Sequence, residues 1–413
     1  MKQSSFLWFL AIGLALSQSL AGPTGFVSTR GSEIIDSEGK PLILRGVNLG
    51  NWLVPEGYMF KFKHANSPRK IHEVISELLG PAEAQAFWRE YRDSYIARPD
   101  IQKIKALGLN SVRVPFNYKL FSPEEAPGVW TGPGLEMLER VVGWCKEAGI
   151  YVVLDMHCAP GGQTGDNIDD SWGNAFLFQN AESRALAAET WRRIAERFAN
   201  EPMVIGYDLL NEPVAPFTDT TQINPLLEPT YKEIVRAIRT VDTNHIVFLG
   251  GAQWDTNFRV FGPPFDKKAV YTFHKYWCDT TQAMIQEYVD FRTRYSVPIW
   301  MGESGENKDE WVAGWRRLME KNAIGWCFWP FKKMDAPSCV VTFERPEGYD
   351  EVIRFAEASR GSYEEIRKAR PSVESARKAL KGFLENCKFP HCRENAGYVK
   401  ALAGSTGEKD GSR

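Results

Sequence analysis

Short apolar runs alternate along this chain with segments in which apolar residues recur every three or four positions. The runs fall at 42–49, 111–118, 151–157, 204–211, 245–251, 270–276, 298–303 and 323–329. The helix-period segments between them cover 99–107, 134–148, 183–200, 229–241, 280–295 and 308–321. Runs of this length read as strands and the intervening pattern as amphipathic helices. Eight strands joined by helical crossovers predict a closed parallel (β/α)8 barrel. A doubly wound open sheet would have fewer strands and a Gly-rich phosphate loop after the first.

The flanking stretches add to the barrel. Residues 25–44 alternate in strand fashion around Asp36-Ser37-Glu38-Gly39-Lys40, a hairpin signal, and are expected to close the bottom of the barrel. The stretch 55–95 is too long for an ordinary loop and carries a helical pattern at 68–79, so it is expected to decorate the C-terminal end of the first strand. Helical patterns at 349–360 and 372–386 follow the eighth strand, and a Gly-, Ser- and charge-rich tail from 404 is expected to be disordered. At the other end, Lys2, an apolar stretch at 6–16 and Ser19-Leu20-Ala21 read as a signal peptide over 1–21. That stretch is short for a bilayer span, which needs about 20 apolar residues. The expected organisation is therefore a leader, one catalytic-size domain over 22–403 and a tail over 404–413, exported and monomeric.

Composition narrows the class. A formal net charge of −2 with no long basic run gives no electrostatic footprint for nucleic acid or an anionic membrane. Fourteen Trp supply flat apolar faces on which sugar rings can stack. Of seven cysteines, Cys387 and Cys392 flank Pro390 as the favoured local bridge, while Cys145 and Cys327 read as buried thiols. Cys158, Cys278 and Cys339 sit near strand ends. None has zinc-ligand spacing with a histidine, and neither metal nor cofactor is expected.

The chemistry gathers in two strings, Tyr207-Asp208-Leu209-Leu210-Asn211-Glu212-Pro213 and Ile299-Trp300-Met301-Gly302-Glu303-Ser304-Gly305. Each puts a carboxylate where an apolar strand runs into a loop, at the end of the sheet where parallel α/β folds keep their ligands. Taken singly, a Glu at a strand end is more often a salt-bridge or capping residue. Arg113 in an apolar strand resists such a bland reading, because a buried guanidinium needs a carboxylate partner. Asp155 is expected on the other side of its strand from His157, as a structural partner inside the barrel. Glu306, after Gly305, is expected in a loop or on the rim.

In order along the chain stand Arg45-Gly46-Val47-Asn48-Leu49-Gly50-Asn51-Trp52, Arg113-Val114-Pro115, Asp155-Met156-His157, Asn211-Glu212-Pro213, His274-Lys275-Tyr276, Gly302-Glu303 and Trp329. With these motifs on seven strand ends the chain resembles glycoside hydrolase family 5, over roughly residues 25–335. The resemblance implies Glu212 as acid/base and Glu303 as nucleophile of a retaining glycosidase. It also implies that Asn211 bonds the 2-hydroxyl, that Arg113 and Tyr276 hold Glu303 ionised, and that His157 and His274 line the subsite of the reacting sugar. Trp329 would be the platform beneath that sugar.

The string Asn48 to Glu56 and His157-Cys158-Ala159-Pro160-Gly161-Gly162-Gln163 are similar to the exo-β-1,3-glucanase branch, where a Glu matching Glu56 binds the terminal sugar. The surroundings of Trp172, the long insertion after Glu56 and Lys332-Lys333-Met334 depart from that pattern. The partner implied is a β-linked oligo- or polysaccharide, with a β-glucan or β-glucoside preferred over β-mannan. A non-catalytic sugar-binding barrel stays open as the rival class. A metal-dependent hydrolase would need more His and Asp ligands at strand ends than six histidines supply.

Overall fold

The computed structural model describes residues 25–404. The leader read at 1–21 and the tail beyond Gly404 lie outside those residues. A short hairpin, β1 (Ser28–Arg30) and β2 (Glu33–Ile35), precedes eight parallel strands: β3 (Arg45–Asn48), β4 (Ser111–Asn117), β5 (Tyr151–Cys158), β6 (Val204–Asp208), β7 (Ile246–Gly250), β8 (Ala269–His274), β9 (Ile299–Glu303) and β10 (Gly325–Phe328). They pair in chain order, and β10 closes on β3, giving the (β/α)8 barrel. Each expected run overlaps one of these strands, within a few residues at either end.

The hairpin turns at Gly31-Ser32 and not at 36–40. Residues 36–40 form a second turn, closed by Asp36 N–H donating to Lys40 O at 2.9 Å, which carries the chain back to a bridge between Ile35 and Pro41. Gly31 takes φ 58°, a conformation glycine adopts without a Cβ penalty, and this outweighs the Asp-Ser-Glu-Gly signal. Val27 and Ile34 pack with Val153, Ile205, Ile246, Phe248, Val270 and Trp300 from the first halves of the barrel strands. The hairpin thus plugs the bottom, as expected.

The insertion after β3 folds as α1 (Pro68–Leu79), α2 (Pro81–Ser94) and α3 (Arg98–Ala106). The outer ring continues with α4 (Gly134–Ala148), α5 (Ala181–Phe198), α6 (Thr220–Arg239), a short turn α7 (Ala252–Asp255), α8 (Gln286–Tyr295) and α9 (Asp309–Lys321). Helix α6 starts nine residues before the periodic segment at 229–241 does, because Asp219 caps it by accepting from Thr221 and Gln222 N–H while Pro225 and Pro229 are tolerated inside. Beyond β10 come β11 (Lys332–Met334), β12 (Val341–Phe343), α10 (Tyr349–Glu357), α11 (Tyr363–Ala369), α12 (Val373–Asn386), β13 (Arg393–Glu394) and α13 (Ala396–Ala403), with β11, β12 and β13 forming a small second sheet. Phe383 of α12 packs among Phe60, Phe87, Tyr91, Phe343 and Tyr349, so insertion and C-terminal helices share one aromatic core beside the barrel.

All seven cysteines are free thiols. The Cys387–Cys392 bridge is therefore not formed: Cys387 Sγ is turned to Leu384 O at 3.3 Å and Cys392 Sγ to the Cys387 and Lys388 carbonyls. Cys145, Cys158, Cys327 and Cys339 are buried. Among the described residues no helix is long and apolar enough to cross a membrane.

Candidate active site

Side chains alternate along a strand, so β4, β5 and β6 send every second residue into the barrel. Arg113 is fully buried there among polar partners. Nε bonds Asp208 at 2.8 Å, one terminal nitrogen bonds Glu303 at 2.5 Å and Asn48 at 3.1 Å, and the other bonds Asn211 at 2.9 Å and pairs with Asp155 at 3.1 Å. The carboxylate partner expected for Arg113 is thus three carboxylates. Asp155 does not point away from His157: both face inward, two residues apart, with Asp155 Oδ2 2.8 Å from His157 Nδ1. Its expected role as a structural partner inside the barrel holds. Burial pushes Asp155 and Asp208 up to about 7, so Arg113 sits among carboxylates that are only partly charged near neutrality.

The strand ends bring the two glutamates together above this layer. One carboxylate oxygen of Glu212, one of Glu303 and a ring nitrogen of His274 all lie within 4.8 Å of one another. Glu303 accepts from Arg113 and, at 3.0 Å, from the Tyr276 hydroxyl. Glu212 Oε1 is 3.0 Å from His274 Nδ1. Burial raises both carboxyls. For Glu303, Arg113 and the Tyr276 hydrogen bond pull the other way, whereas for Glu212 the neighbouring Glu303 and Glu56 add to the rise. Glu303 is therefore the group that ionises first and Glu212 the one that keeps its proton. Burial pushes His157 down to about 3 and His274 well below the ordinary range, so both rings are neutral. Tyr276 is held well above its usual value and stays a donor.

These groups open into a cavity of about 680 Å³ lined by Glu56, Tyr58, His157, Asn211, Glu212, His274, Tyr276, Glu303 and Trp329 among others. The Trp329 ring stacks on His157 at 5.5 Å and its Nε1 donates to Tyr58 Oη at 2.8 Å, which fixes the indole as a wall. Asn211 gives its Oδ1 to Arg113, leaving Nδ2 free to donate into the cavity apart from a 3.4 Å contact with His157. Glu56 is buried with Oε1 unpartnered. The structure thus brings together the candidate catalytic and binding residues Glu56, Arg113, His157, Asn211, Glu212, His274, Tyr276, Glu303 and Trp329.

Other lining residues escaped the sequence reading. Tyr58 belongs to this group, as do Trp254 and Trp277, both left-handed at φ 59° and 49°. Trp277 directly follows Tyr276, so its adjacency was the available signal. Glu306 lies, as expected, in the loop after β9, where it lines the cavity and both its oxygens accept from Lys333 Nζ, at 2.8 and 2.7 Å.

Glu212, His274 and Glu303 are the described residues whose spacing could hold a metal ion. Their chemistry argues against one. Glu212 keeps its proton, His274 Nδ1 faces that carboxyl, and the fixed positive charge of Arg113 touches Glu303.

Residues 79–335 match the family described as Cellulase (glycosyl hydrolase family 5). A β-xylosidase from Phanerodontia chrysosporium is 28% identical over 307 residues, 74% of this chain and 60% of that protein. Endoglucanase C from Acetivibrio thermocellus is 27% identical over 316 residues, covering 62% of this chain and 89% of that one. The crystal structure of an endogalactoceramidase shares the fold with a TM-score of 0.61 at 20% identity, covering 92% of this chain and 84% of the other. With its two glutamates at the ends of the fourth and seventh barrel strands and a family match across more than half its length, the chain belongs to glycosyl hydrolase family 5.

Proposed function

We propose that this protein is a retaining β-glycosidase that hydrolyses β-glucans or β-glucosides by double displacement. The observation that carries the reading is the unequal treatment of two glutamates whose oxygens approach within 4.8 Å. That approach suits displacement by the side chain itself, for which the carboxylates stand about 5–5.5 Å apart; inversion leaves the wider gap a water needs.

In the first step Glu303 attacks the anomeric carbon while Glu212 passes its proton to the departing glycosidic oxygen. Charge spreads onto the sugar ring in an oxocarbenium-like transition state, where the contact from Asn211 Nδ2 to the 2-hydroxyl strengthens. Arg113 and Tyr276 keep the Glu303 oxygens charged and aimed, which avoids reorganisation as the bond forms. In the second step Glu212, now ionised, takes a proton from water as the water displaces Glu303. Glu56, which lines the cavity, is suited to bind hydroxyls of the terminal sugar, and Trp329 supplies the stacking wall.

The β-glucosidic preference is supported by the first- and third-strand strings and by the relative named Endoglucanase C. Export, read from the first 21 residues, fits action on an extracellular polysaccharide. Proton NMR of the first-formed product, run on β-1,3-, β-1,4- and β-1,6-glucans, mannan, aryl β-glucosides and aryl β-xylosides, tests the proposal. The β anomer should appear first, from a glucoside. Initial release of the α anomer would overturn the mechanism, and turnover confined to xylosides or mannan would overturn the substrate class.

A further inference from the structure

Two features that set this sequence apart from the exo-β-1,3-glucanase pattern, the surroundings of Trp172 and the insertion after Glu56, meet in the structure. Together with the end of β4 they enclose a second cavity of about 410 Å³, with Leu53, Arg69, Trp88, Lys119, Asp170 and Trp172 among its lining residues. The loop after β5 divides it from the catalytic cavity: Asp166 and Ile168 line the one, Asp170 and Trp172 the other. That partition is pinned at both ends. Buried Asp169 accepts the N–H groups of Thr164 and Gly165 at 2.7 and 2.8 Å and of Ser171 at 3.0 Å, and Asn167 Nδ2 donates to Asn66 O of the insertion at 3.3 Å.

Trp172 is 71% exposed, yet it is held. The Arg69 guanidinium lies 3.9 Å from the indole centroid, and the indole Nε1 donates to Glu124 at 3.1 Å. Arg69 is itself tied down, donating to Glu124 at 3.1 Å and to the Asp170 carbonyl at 3.0 Å. One face of the indole is thus backed by a fixed cation, and the exposure of the residue leaves the other face open. Lys119 is spent in the same network, on Glu124 and Asp170 at 2.9 and 2.8 Å. Of the other charged groups that line the cavity, Glu73, Glu125 and Arg92 enter no ion pair among the described residues. The uncommitted charges nearly cancel, so the cavity favours neither a polyanion nor a polycation. A fixed, open aromatic face beside free acceptors and a free guanidinium suits a neutral polyhydroxylated ring, whose C–H face stacks while its hydroxyls bond the charged groups.

We propose, resting on the β-glucan reading of the catalytic site, that this cavity is a second carbohydrate site. It holds a sugar unit of a β-glucan against Trp172 while another stretch of the same polymer occupies the catalytic cavity across the loop. Two sites on one protein make the second engagement intramolecular, which raises the effective concentration of polymer at the glutamates and does nothing for a small glycoside.

Native affinity electrophoresis of the full chain carrying Glu303→Ala, in gels containing soluble β-1,3-glucan or mixed-linkage β-1,3/1,4-glucan, reads binding without turnover. Adding Trp172→Ala should weaken the apparent Kd for the polymer about 5- to 10-fold. Trp172→Phe, which keeps a ring face and loses the hydrogen bond to Glu124, should restore most of the binding. In the active enzyme Trp172→Ala should raise KM on the same polymer and leave kcat/KM on an aryl β-glucoside unchanged. Unaltered retardation in Trp172→Ala overturns the proposal. So does a loss that Trp172→Phe fails to reverse, or an equal fall in kcat/KM on the aryl β-glucoside, because either marks the indole as a brace for the loop. An enzyme that hydrolyses the aryl β-glucoside but is retarded by neither glucan overturns the second site and leaves the hydrolase reading intact. Retardation that depends on Trp172, in a protein that turns over no β-glycoside, supports the site and overturns the hydrolase reading instead.

Discussion

Arg113 can be buried among three carboxylates and two amides because a guanidinium carries five donors in a rigid fork. An arginine in an apolar run therefore implies that acids stand near it; which acids depends on the barrel, since Asp155 and Asp208 lie 42 and 95 residues away along the chain. Asp155 was misread in direction for a simple reason: it is two residues from His157, and two residues along a strand share a face. At this scale two outcomes follow from contact with Glu303. Glu303→Ala should retain less than about a tenth of wild-type kcat on an aryl β-glucoside, a barrier rise above about 1.4 kcal/mol, with an unchanged far-UV CD spectrum. Tyr276→Phe removes one hydrogen bond to a charged acceptor, a loss of about 1.5–3 kcal/mol or roughly 10- to 100-fold in kcat/KM. A Tyr276→Phe enzyme as active as the wild type would remove the tyrosine from the account of how Glu303 is held.

Elements with a strong period were legible and those held by tertiary contacts were not. The eight strands could be read because helices cover the outer faces, leaving each run continuously apolar. Helix α2 was missed within an insertion read mainly as a decoration, although Ala84, Phe87, Trp88 and Tyr91 give it a buried face. The small sheet β11, β12 and β13 could not be foreseen, since its strands are two or three residues long and its third comes from 50 residues farther on. Lys332 of β11 shows what ties this sheet to the barrel: fully buried, it pairs with Asp100 of α3 at 2.7 Å and donates to Tyr95 O and Cys387 O. Asp100→Ala would leave that ammonium buried without its counter-charge, which costs about 3–5 kcal/mol, whereas replacing the pair together by Asp100→Leu and Lys332→Met should recover most of it. Urea denaturation of the wild type and the two variants measures this. Equal losses in the single and double variants would show that the packing around the pair, and not the charge, carries the stability.

For the whole molecule, the barrel's top face brings the ends of β6 and β9 opposite one another, so that two glutamates 91 residues apart in the chain titrate as a pair. The fold class and this opposition were readable from strand count and order alone. The opposite pull of Arg113 on one carboxyl and of Glu303 and Glu56 on the other was only half readable, since Glu56 reaches the site through the insertion. Activity requires Glu303 ionised and Glu212 protonated. Raising the pH from the acid side first removes the Glu303 proton and switches the enzyme on; further increase removes the Glu212 proton and switches it off. The kcat/KM profile should therefore be bell-shaped, with its alkaline limb well above the ordinary carboxylate range, because burial and the neighbouring Glu303 hold the Glu212 carboxyl up. Both limbs belong to the pair and not to either residue alone. Glu212→Ala should lose the alkaline limb, and it should harm substrates with poor leaving groups far more than activated aryl glycosides, which depart with little protonation. An alkaline limb that survives in Glu212→Ala, or equal harm to both kinds of substrate, would mean that the proton comes from another group on this face.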